Sequence, residues 1–274
     1  MPDFESPLTN AVARQYDLFQ GSLETIDKDR KFLNYGYSVA ADEPIEERQA
    51  RLCLEVFRAA GIAAGHVVVD VGFGSGEQDF LLARTYEFER LTGFNISERQ
   101  VRYASARSAR EGLESKLTFR LGEAEALPGI LHASVDRLVA IECAFYFDRP
   151  RFYARAADVL KPDGLLVVAD IQLSDRLRFL TKRDDLRRVG TLSANRREWE
   201  RHFRVRTHRH INRETRPGVQ MSVWHILRTA PFAGFTAAQR REWLKMAYYS
   251  QLVALGLWSG LVSYDLIVFE KIAG

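Results

Sequence analysis

The stretch VVVDVGFGSGEQ, residues Val67–Gln78, decides how this chain folds. Its first residues form an apolar run without alternation, which is typical of a parallel strand covered on both faces. Asp70 lies near the end of that run, and glycines follow at positions 72, 74 and 76 before a helical pattern begins. Because missing side chains let a loop turn tightly and bring its amides against a ligand, the stretch predicts a strand–loop–helix unit that binds a ligand.

Strand-like and helix-like segments alternate after this stretch. Further strands are predicted at FERLTGFN, KLTFRLG, VDRLVAIE, LLVVADIQ, HFRVRTHRHI and YDLIVFEKI, and KPDG predicts a turn before the fifth strand. SERQ, at residues 97–100, has the form of a helix capping box. This alternation predicts an α/β fold with a Rossmann-like, doubly wound, mostly parallel sheet of seven strands.

The two ends of the chain add helices to this sheet. Residues 1–64 are predicted to form N-terminal cap helices, and residues 65–274 the core. A helical insertion around residues 212–260, between the last two strands, is expected to complete a helical cap over the sheet.

Composition narrows the class of protein. The chain has 274 residues, 46% hydrophobic and 27% charged, which is ordinary for a globular protein. Two cysteines cannot build a disulfide framework, and no Cys/His cluster has zinc spacing, so no metal is expected. The acidic N-terminus lacks the apolar region of a secretory signal, and the longest apolar run, Trp243–Trp258, is short for a bilayer. A cytoplasmic protein without stable membrane insertion is therefore expected.

Charge is unevenly distributed along the chain. Residues 171–216 contain 14 Lys and Arg against 6 Asp and Glu, although the whole chain has a net charge of only +3. Such a segment could face an anionic group of a substrate, or it could be a solvated surface.

The spacing of the glycines excludes two classes of nucleotide. A dinucleotide fingerprint is Gly-x-Gly-x-x-Gly, whereas here the glycines alternate and Glu77 would share the helix N-terminus with a pyrophosphate. No Gly-Lys-Ser/Thr follows, which excludes a triphosphate loop. A ligand with an adenosine part and a cationic centre suits these acids better.

The motif DVGFGSG resembles motif I of the class I S-adenosylmethionine-dependent methyltransferases. Similarity to the small-molecule branch continues through LTGFNISERQVRYASARS, LTFRLGEAEALPG and the segment from VDRLVAIECAFYF to LLVVADI. That branch includes tocopherol, ubiquinone, sterol and prenyl-diphosphate methyltransferases and natural-product tailoring enzymes. The resemblance covers residues 32–171 and implies S-adenosylmethionine as cofactor and S-adenosylhomocysteine as product.

The resemblance also implies which residues hold the cofactor. Asp70 is expected at its methionine end, Asn95 and Gln100 at the ribose, Glu123 near the adenine, and Tyr35 in an aromatic lid. The implied set is Tyr35, Tyr37, Asp70, Gly72, Gly74, Gly76, Asn95, Ile96, Gln100, Glu123, Ala124, Glu142 and Cys143. Two alternatives stay open: Gln100 could only complete the capping box, and the two tyrosines could only pack the N-terminal helices.

Tyr146 is the candidate catalytic residue, and it stands where many members of the family have a histidine. Tyrosine has a pKa near 10 and is a poor base, so its expected role is to orient the acceptor by a hydrogen bond or to present its ring to a cationic centre. Phe145, Tyr146 and His225 are the expected substrate contacts, and His210 and His225 are alternative bases from the cap.

The predicted function is methylation of a small, largely apolar metabolite at carbon, oxygen or nitrogen, with an acceptor that could carry an anionic group. An S-adenosylmethionine-binding cyclase or isomerase is the alternative, and a non-catalytic partner subunit is disfavoured by the intact glycines. Nucleic acid is not expected as a substrate, because IECAFYF replaces the motif that holds a flipped base. The prediction is compatible with a homodimer.

Overall fold

The computed structural model describes residues 4, 6–26, 32–229 and 234–272. Within them, seven strands form one sheet in the order β3-β2-β1-β4-β5-β7-β6. The strands are β1 (Val67–Val71), β2 (Arg90–Asn95), β3 (Leu117–Leu121), β4 (Val135–Ile141), β5 (Leu160–Leu173), β6 (Phe203–His210) and β7 (Val262–Lys271). β7 pairs antiparallel with β5 and β6, and the remaining pairs are parallel. The predicted Rossmann-like, mostly parallel sheet is confirmed.

The central strands are buried on both faces, which explains their uninterrupted apolar sequences. Val68 and Val69 of β1 are both fully buried, yet they belong to two different hydrophobic clusters. Their alternating side chains therefore serve the helix layers on opposite faces of the sheet.

Helices cover both faces and one edge of the sheet. They are α1 (Pro7–Ile26), α2 (Ile45–Ala60), α3 (Glu77–Thr85), α4 (Glu98–Arg110), α5 (Arg149–Val159), α6 (Asp184–Arg187), α7 (Leu192–Trp199), α8 (Asn212–Thr229) and α9 (Ala237–Ser259). Short 3-10 helices occupy Ala144–Tyr146 and Asp175–Lys182. No helix of the described residues is long and apolar enough to cross a membrane.

The two N-terminal helices pack against different parts of the molecule. Leu52 and Phe57 of α2 are fully buried in the cluster that covers one face of the sheet. In contrast, Phe19 of α1 packs edge-on against Trp243 of α9, with ring centroids 5.5 Å apart. The cap therefore consists of α1, α8 and α9, while α2 is part of the core.

Helix α8 approaches the loop after α1 very closely. A Cβ at Gly218 would lie 1.6 Å from the carbonyl oxygen of Tyr35, so only glycine fits there. Nearby, the Ser38 amide donates a hydrogen bond to the Glu214 carbonyl at 2.8 Å. These contacts fix the cap against the loop that holds Tyr35.

The turn predicted at KPDG is replaced by an irregular stretch of β5. Val135 pairs with Leu160 and Arg137 with Leu165, so one residue of β4 faces four residues of β5. The extra residues are accommodated as a bulge, and the strand begins at Leu160 instead of after the turn.

Candidate active site

A cavity lies where the carboxyl ends of β1, β2, β3 and β4 meet the cap. Its volume is about 1230 Å³ with the mouth included. The sheet contributes loops 72–75, 95–96, 122–125 and 141–147, whereas the cap contributes Thr9, Val12 and Tyr16 from α1 and Met246 from α9. This is the edge at which open α/β sheets bind their ligands.

The loop after β1 is built for close approach. Gly72 has φ +74°, and a Cβ there would lie 2.6 Å from the Cβ of Cys143. Gly74 has φ +59° and faces the cavity beneath Leu33. Gly76 precedes α3 and packs against Ala104, so it shapes the helix start without lining the cavity.

Asp70 lies behind the cavity wall instead of on it. It is fully buried, and Nε2 of Gln78 donates a hydrogen bond to its Oδ2 at 2.5 Å. Burial raises the pKa of Asp70 to about 6, and burial together with the charge of Asp70 raises the pKa of Asp79 well above its usual value. Burial therefore favours the protonated form of these carboxyl groups beneath the loop, and Gln78 is the side chain that reaches the wall.

The charge of Glu77 at the start of α3 is neutralised. Its carboxylate forms ion pairs with Arg84, at 3.0 Å, and with Arg107. Repulsion between Glu77 and a pyrophosphate is therefore weaker than the sequence suggested. The argument against a dinucleotide then depends on the spacing of the glycines.

Asn95 and Gln100 form a polar pair on the wall. Nδ2 of Asn95 donates to Oε1 of Gln100 at 2.8 Å, and both residues line the cavity together with Ile96. Oγ of Ser97 caps α4 by accepting from the Gln100 amide at 3.2 Å, while the Gln100 side chain turns to Asn95. Among the described residues, Nε2 of Gln100 is buried without a hydrogen-bond partner, which leaves a donor for a ligand.

Glu142 joins the end of β4 to the N-terminal loop. Its Oε1 accepts from the Tyr35 amide and from the Tyr264 hydroxyl, both at 2.8 Å. Burial raises the pKa of Glu142 to about 8. Cys143 follows, with its thiol directed to the Val71 carbonyl at 3.0 Å, and both residues line the cavity.

Tyr146 forms a hydroxyl pair that the sequence interpretation missed. Tyr16 of α1 donates to the Tyr146 hydroxyl at 3.3 Å, with the two rings nearly perpendicular. Burial raises the pKa of Tyr146 to about 12 and that of Tyr16 well above its usual value. Phe145 packs beside Tyr146 with ring centroids 4.3 Å apart. Tyr16 and Tyr146 lie 130 positions apart in the chain, so no local pattern of residues indicates this pair.

Acidic residues supply the formal charges on the described wall. Glu123 and Ala124, which the resemblance places near the adenine, line the cavity. Glu125 lies next to them, and burial raises the pKa of its carboxyl group. Glu77 and Glu142 complete the acidic set, and no Lys or Arg is found among the described lining residues.

Several candidates lie outside the cavity. The Tyr37 hydroxyl accepts a hydrogen bond from Arg209 at 3.1 Å, and Tyr37 does not line the wall. His210 lies on edge strand β6, far from the expected cap position, because the cap begins only after that strand. Arg204 and Arg206 of β6 face Glu270. The side chain of His225 is outside the described residues.

The sequence and the fold were also compared with those of known proteins. A model of the methyltransferase domain matches residues 69–168. The erythromycin 3''-O-methyltransferase of Saccharopolyspora erythraea is 36% identical over 157 residues, 57% of this chain and 51% of that protein. The chain thus spans about half the length of that relative.

Two solved structures share the fold over nearly the whole chain. The cyclopropane synthase MmaA2 from Mycobacterium tuberculosis has a TM-score of 0.83 at 15% identity and covers 98% of this chain and 100% of that one. The cyclase SpnF has a TM-score of 0.80 at 20% identity, with 98% of each chain covered. At such identities these structures show the fold alone. Residues 69–168 therefore match a methyltransferase domain, and the chain is similar over part of its length to a small-molecule O-methyltransferase.

Proposed function

We propose that the protein methylates a hydroxyl group of a small, neutral and largely apolar natural product, with S-adenosylmethionine as methyl donor. The observation that carries the proposal is the cavity, which joins the glycine loop of motif I to an apolar chamber closed by α1 and α9. The relationship to the erythromycin 3''-O-methyltransferase supports the choice of oxygen as the methylated atom.

The residues of the wall fit S-adenosylmethionine. Gly72 and Gly74 leave room that a Cβ would fill, and Nε2 of Gln100 offers a buried donor without a partner. A wall with no Lys or Arg among its described residues suits a ligand with a positively charged sulfur, which supplies an electrophilic methyl group when bound. We infer that Gly72, Gly74, Asn95 and Gln100 hold this ligand, with Glu123 beside them.

The charges of the wall favour a neutral acceptor. The basic segment that suggested an anionic acceptor places Arg204 and Arg206 on the outer edge strand, paired with Glu270. Because burying an anion is costly where no Lys or Arg is found among the described lining residues, a diphosphate or carboxylate acceptor is disfavoured.

Tyr146 is proposed to position the acceptor. Since Tyr16 donates to the Tyr146 hydroxyl, the hydrogen of Tyr146 remains free for an acceptor oxygen. With a pKa of about 12 the group stays protonated near neutral pH, so it orients the acceptor instead of removing its proton. Catalysis then rests mainly on holding the acceptor oxygen in line with the methyl group in a cavity that excludes bulk water. The oxygen forms a bond to the methyl carbon as the carbon–sulfur bond breaks, S-adenosylhomocysteine leaves, and the hydroxyl proton of the acceptor is released to solvent.

The test is turnover with a panel of acceptors. Neutral hydroxylated macrolides and their glycosides would be compared with prenyl diphosphates and aromatic carboxylates, and mass spectrometry would detect methylated product and S-adenosylhomocysteine. The proposal expects both products from a neutral acceptor. Turnover confined to anionic acceptors contradicts the acceptor class, whereas release of methylthioadenosine, or conversion of an acceptor without S-adenosylhomocysteine, favours the cyclase or isomerase alternative.

Three further properties belong to the same proposal. The methyl transfer needs no metal, so an excess of chelator should leave the rate unchanged. The acceptor is not nucleic acid, so added duplex DNA or RNA should neither be methylated nor inhibit. A homodimer is compatible with the proposal, and sedimentation of the full chain would establish the oligomeric state.

A further inference from the structure

Three potential metal ligands meet at the edge of the sheet, outside the cavity. His208 and His210 alternate along β6 and therefore lie on one face, and Asp265 of β7 is paired with His210 in the register. Nε2 of His208 lies 2.9 Å from Oδ1 of Asp265, and Nδ1 of His210 lies 2.5 Å from the same oxygen. The two imidazole rings are 4.6 Å apart, and the three ligand atoms lie within 4.8 Å of one another.

Asp265 is held so that one oxygen points at the histidines. Only 1% of the residue is exposed, and its Oδ2 accepts from Nε2 of Gln172 at 2.9 Å and from Oγ of Ser263 at 2.6 Å. Gln172 is itself fixed, because its Oε1 accepts from Nδ2 of Asn195 at 3.0 Å. Such outer hydrogen bonds orient the carboxylate ligands of metal sites.

The neighbouring arginines of β6 form ion pairs with other carboxylates and not with Asp265. Arg206 pairs with Glu270, and Arg209 pairs with Glu55. The His210 side chain is 60% exposed and that of His208 26%, so an ion can reach both rings from solvent.

We propose that His208, His210 and Asp265 bind a divalent transition metal ion of the Zn²⁺ class on the outer edge of the sheet. Two imidazoles and one carboxylate suit zinc, cobalt or nickel, and three protein ligands leave a position for water. Bonds of about 2.0–2.1 Å place tetrahedral donors roughly 3.3 Å apart. The separations of 2.9 and 2.5 Å between the imidazole nitrogens and Oδ1 of Asp265 would therefore widen by small side-chain rotations when an ion enters. The ion would tie edge strand β6 to β7, and this role is independent of methyl transfer.

The test is titration of untagged, chelator-treated protein with Co²⁺, followed by displacement with Zn²⁺. The proposal expects one Co²⁺ per chain, the intense visible absorption of a four-coordinate ion, and loss of that absorption when Zn²⁺ is added. His208→Ala and His210→Ala should each weaken Zn²⁺ binding at least hundredfold. A saturating ion should also raise the melting temperature of the wild type but not of these variants.

His132→Ala is the matched control, because His132 also pairs with a carboxylate, Asp158, at 2.7 Å, but is not part of the three-residue group. This variant should bind Zn²⁺ like the wild type. Asp265→Asn, which preserves shape, tests the third ligand if an alanine variant fails to fold. Binding weaker than millimolar, or equal binding by wild type and all the variants, would overturn the proposal.

Discussion

A substitution at Gly74 gives the most direct test of the proposed cofactor site. Its φ of +59° disfavours any side chain, and an added Cβ would meet Leu33 at 3.1 Å within the cavity wall. A left-handed conformation costs a residue with a Cβ roughly 1–2 kcal/mol. We expect Gly74→Val to weaken S-adenosylmethionine binding at least tenfold, as measured by calorimetric titration.

Gly65→Val is the control for this substitution. Gly65 has a similar φ of +79°, yet nothing lies within 4 Å of its added Cβ, and it does not line the cavity. Both variants should lose stability, but only the Gly74 variant should lose affinity. Equal affinity in the two variants would contradict the assignment of this loop.

The Tyr16–Tyr146 pair yields a kinetic prediction. Tyr146→Phe removes the hydroxyl proposed to orient the acceptor, so kcat should fall roughly ten- to hundredfold through misplacement of the acceptor. Near neutral pH the remaining activity should have the same pH profile as the wild type, because a hydroxyl with a pKa of about 12 does not titrate there. Tyr153→Phe is the control, since Tyr153 is a buried tyrosine that lies away from the cavity. Identical kcat values for both variants would remove Tyr146 from the mechanism.

Glu142 predicts how stability depends on pH. Its pKa rises from 4.5 in the unfolded chain to about 8 on burial, so the native state holds the proton more tightly. Stability from this group is complete below pH 4.5 and is lost as pH rises toward 8, by a few kcal/mol at most. Glu142→Gln keeps the acceptor for Tyr35 and Tyr264 but cannot ionise.

Denaturant unfolding at pH 5, 6.5 and 8 measures this effect. The free energy of unfolding should fall less steeply with pH in Glu142→Gln than in the wild type. A slope remains in both proteins, because burial also raises the pKa of Asp170 to about 7. Parallel slopes in the two proteins would show that Glu142 ionises normally.

At the scale of elements, the contact between α1 and α9 keeps the cap over the cavity. Trp243 of α9 packs against Phe19 and stacks on Phe235, with ring centroids 5.5 and 5.7 Å apart. Trp243→Ala should cost about 3–5 kcal/mol locally and displace Tyr16 and Met246 from the wall. We expect a severalfold rise in the acceptor KM while the circular dichroism of the sheet is retained.

Trp258→Ala tests whether this effect is specific. Trp258 lies on the same helix but is 73% exposed. Its replacement should leave KM and stability nearly unchanged. A loss as large as that in Trp243→Ala would mean that the outer face of α9 also supports the cavity.

The sequence predicted the sheet well because each strand is recorded locally. The run before Asp70 has the uninterrupted apolar pattern of an inner parallel strand. The glycines after it indicate a ligand-binding loop without any information from distant parts of the chain. Cap elements also followed from local helical spacing. For these parts of the protein, neighbouring residues contain most of the information.

Contacts between distant residues could not be predicted in the same way. Tyr16 meets Tyr146 only because the cap folds back over the sheet. Likewise, His208 and His210 meet Asp265 only because β7 returns antiparallel beside β6. The His-x-His spacing in RTHRH was a visible signal, but its third ligand lies 55 positions later in the chain. The sequence left the role of the basic segment open, because strand alternation does not show that Arg204 and Arg206 lie on an edge strand beside Glu270.

At the scale of the whole molecule, the cavity walls come from both the sheet loops and the cap. A ligand that contacts both should therefore hold the cap closed as well as stabilise the core. Arg14, exposed on α1, becomes a trypsin site only when that helix opens locally. S-adenosylhomocysteine at a hundredfold excess over its Kd adds about 2.7 kcal/mol to the closed state, so cleavage at Arg14 should slow by up to roughly a hundredfold.

Arg110 supplies the internal control for this experiment, because it is exposed at the end of α4 and away from the cavity. Cleavage at Arg110 should change little with ligand, whereas cleavage at Arg14 should slow in proportion to occupancy. If the melting temperature rises with S-adenosylhomocysteine but cleavage at Arg14 does not slow, the cofactor is held by the sheet loops alone. In that case α1 and Tyr16 would act only on the acceptor, and closure of the cap would have to follow acceptor binding.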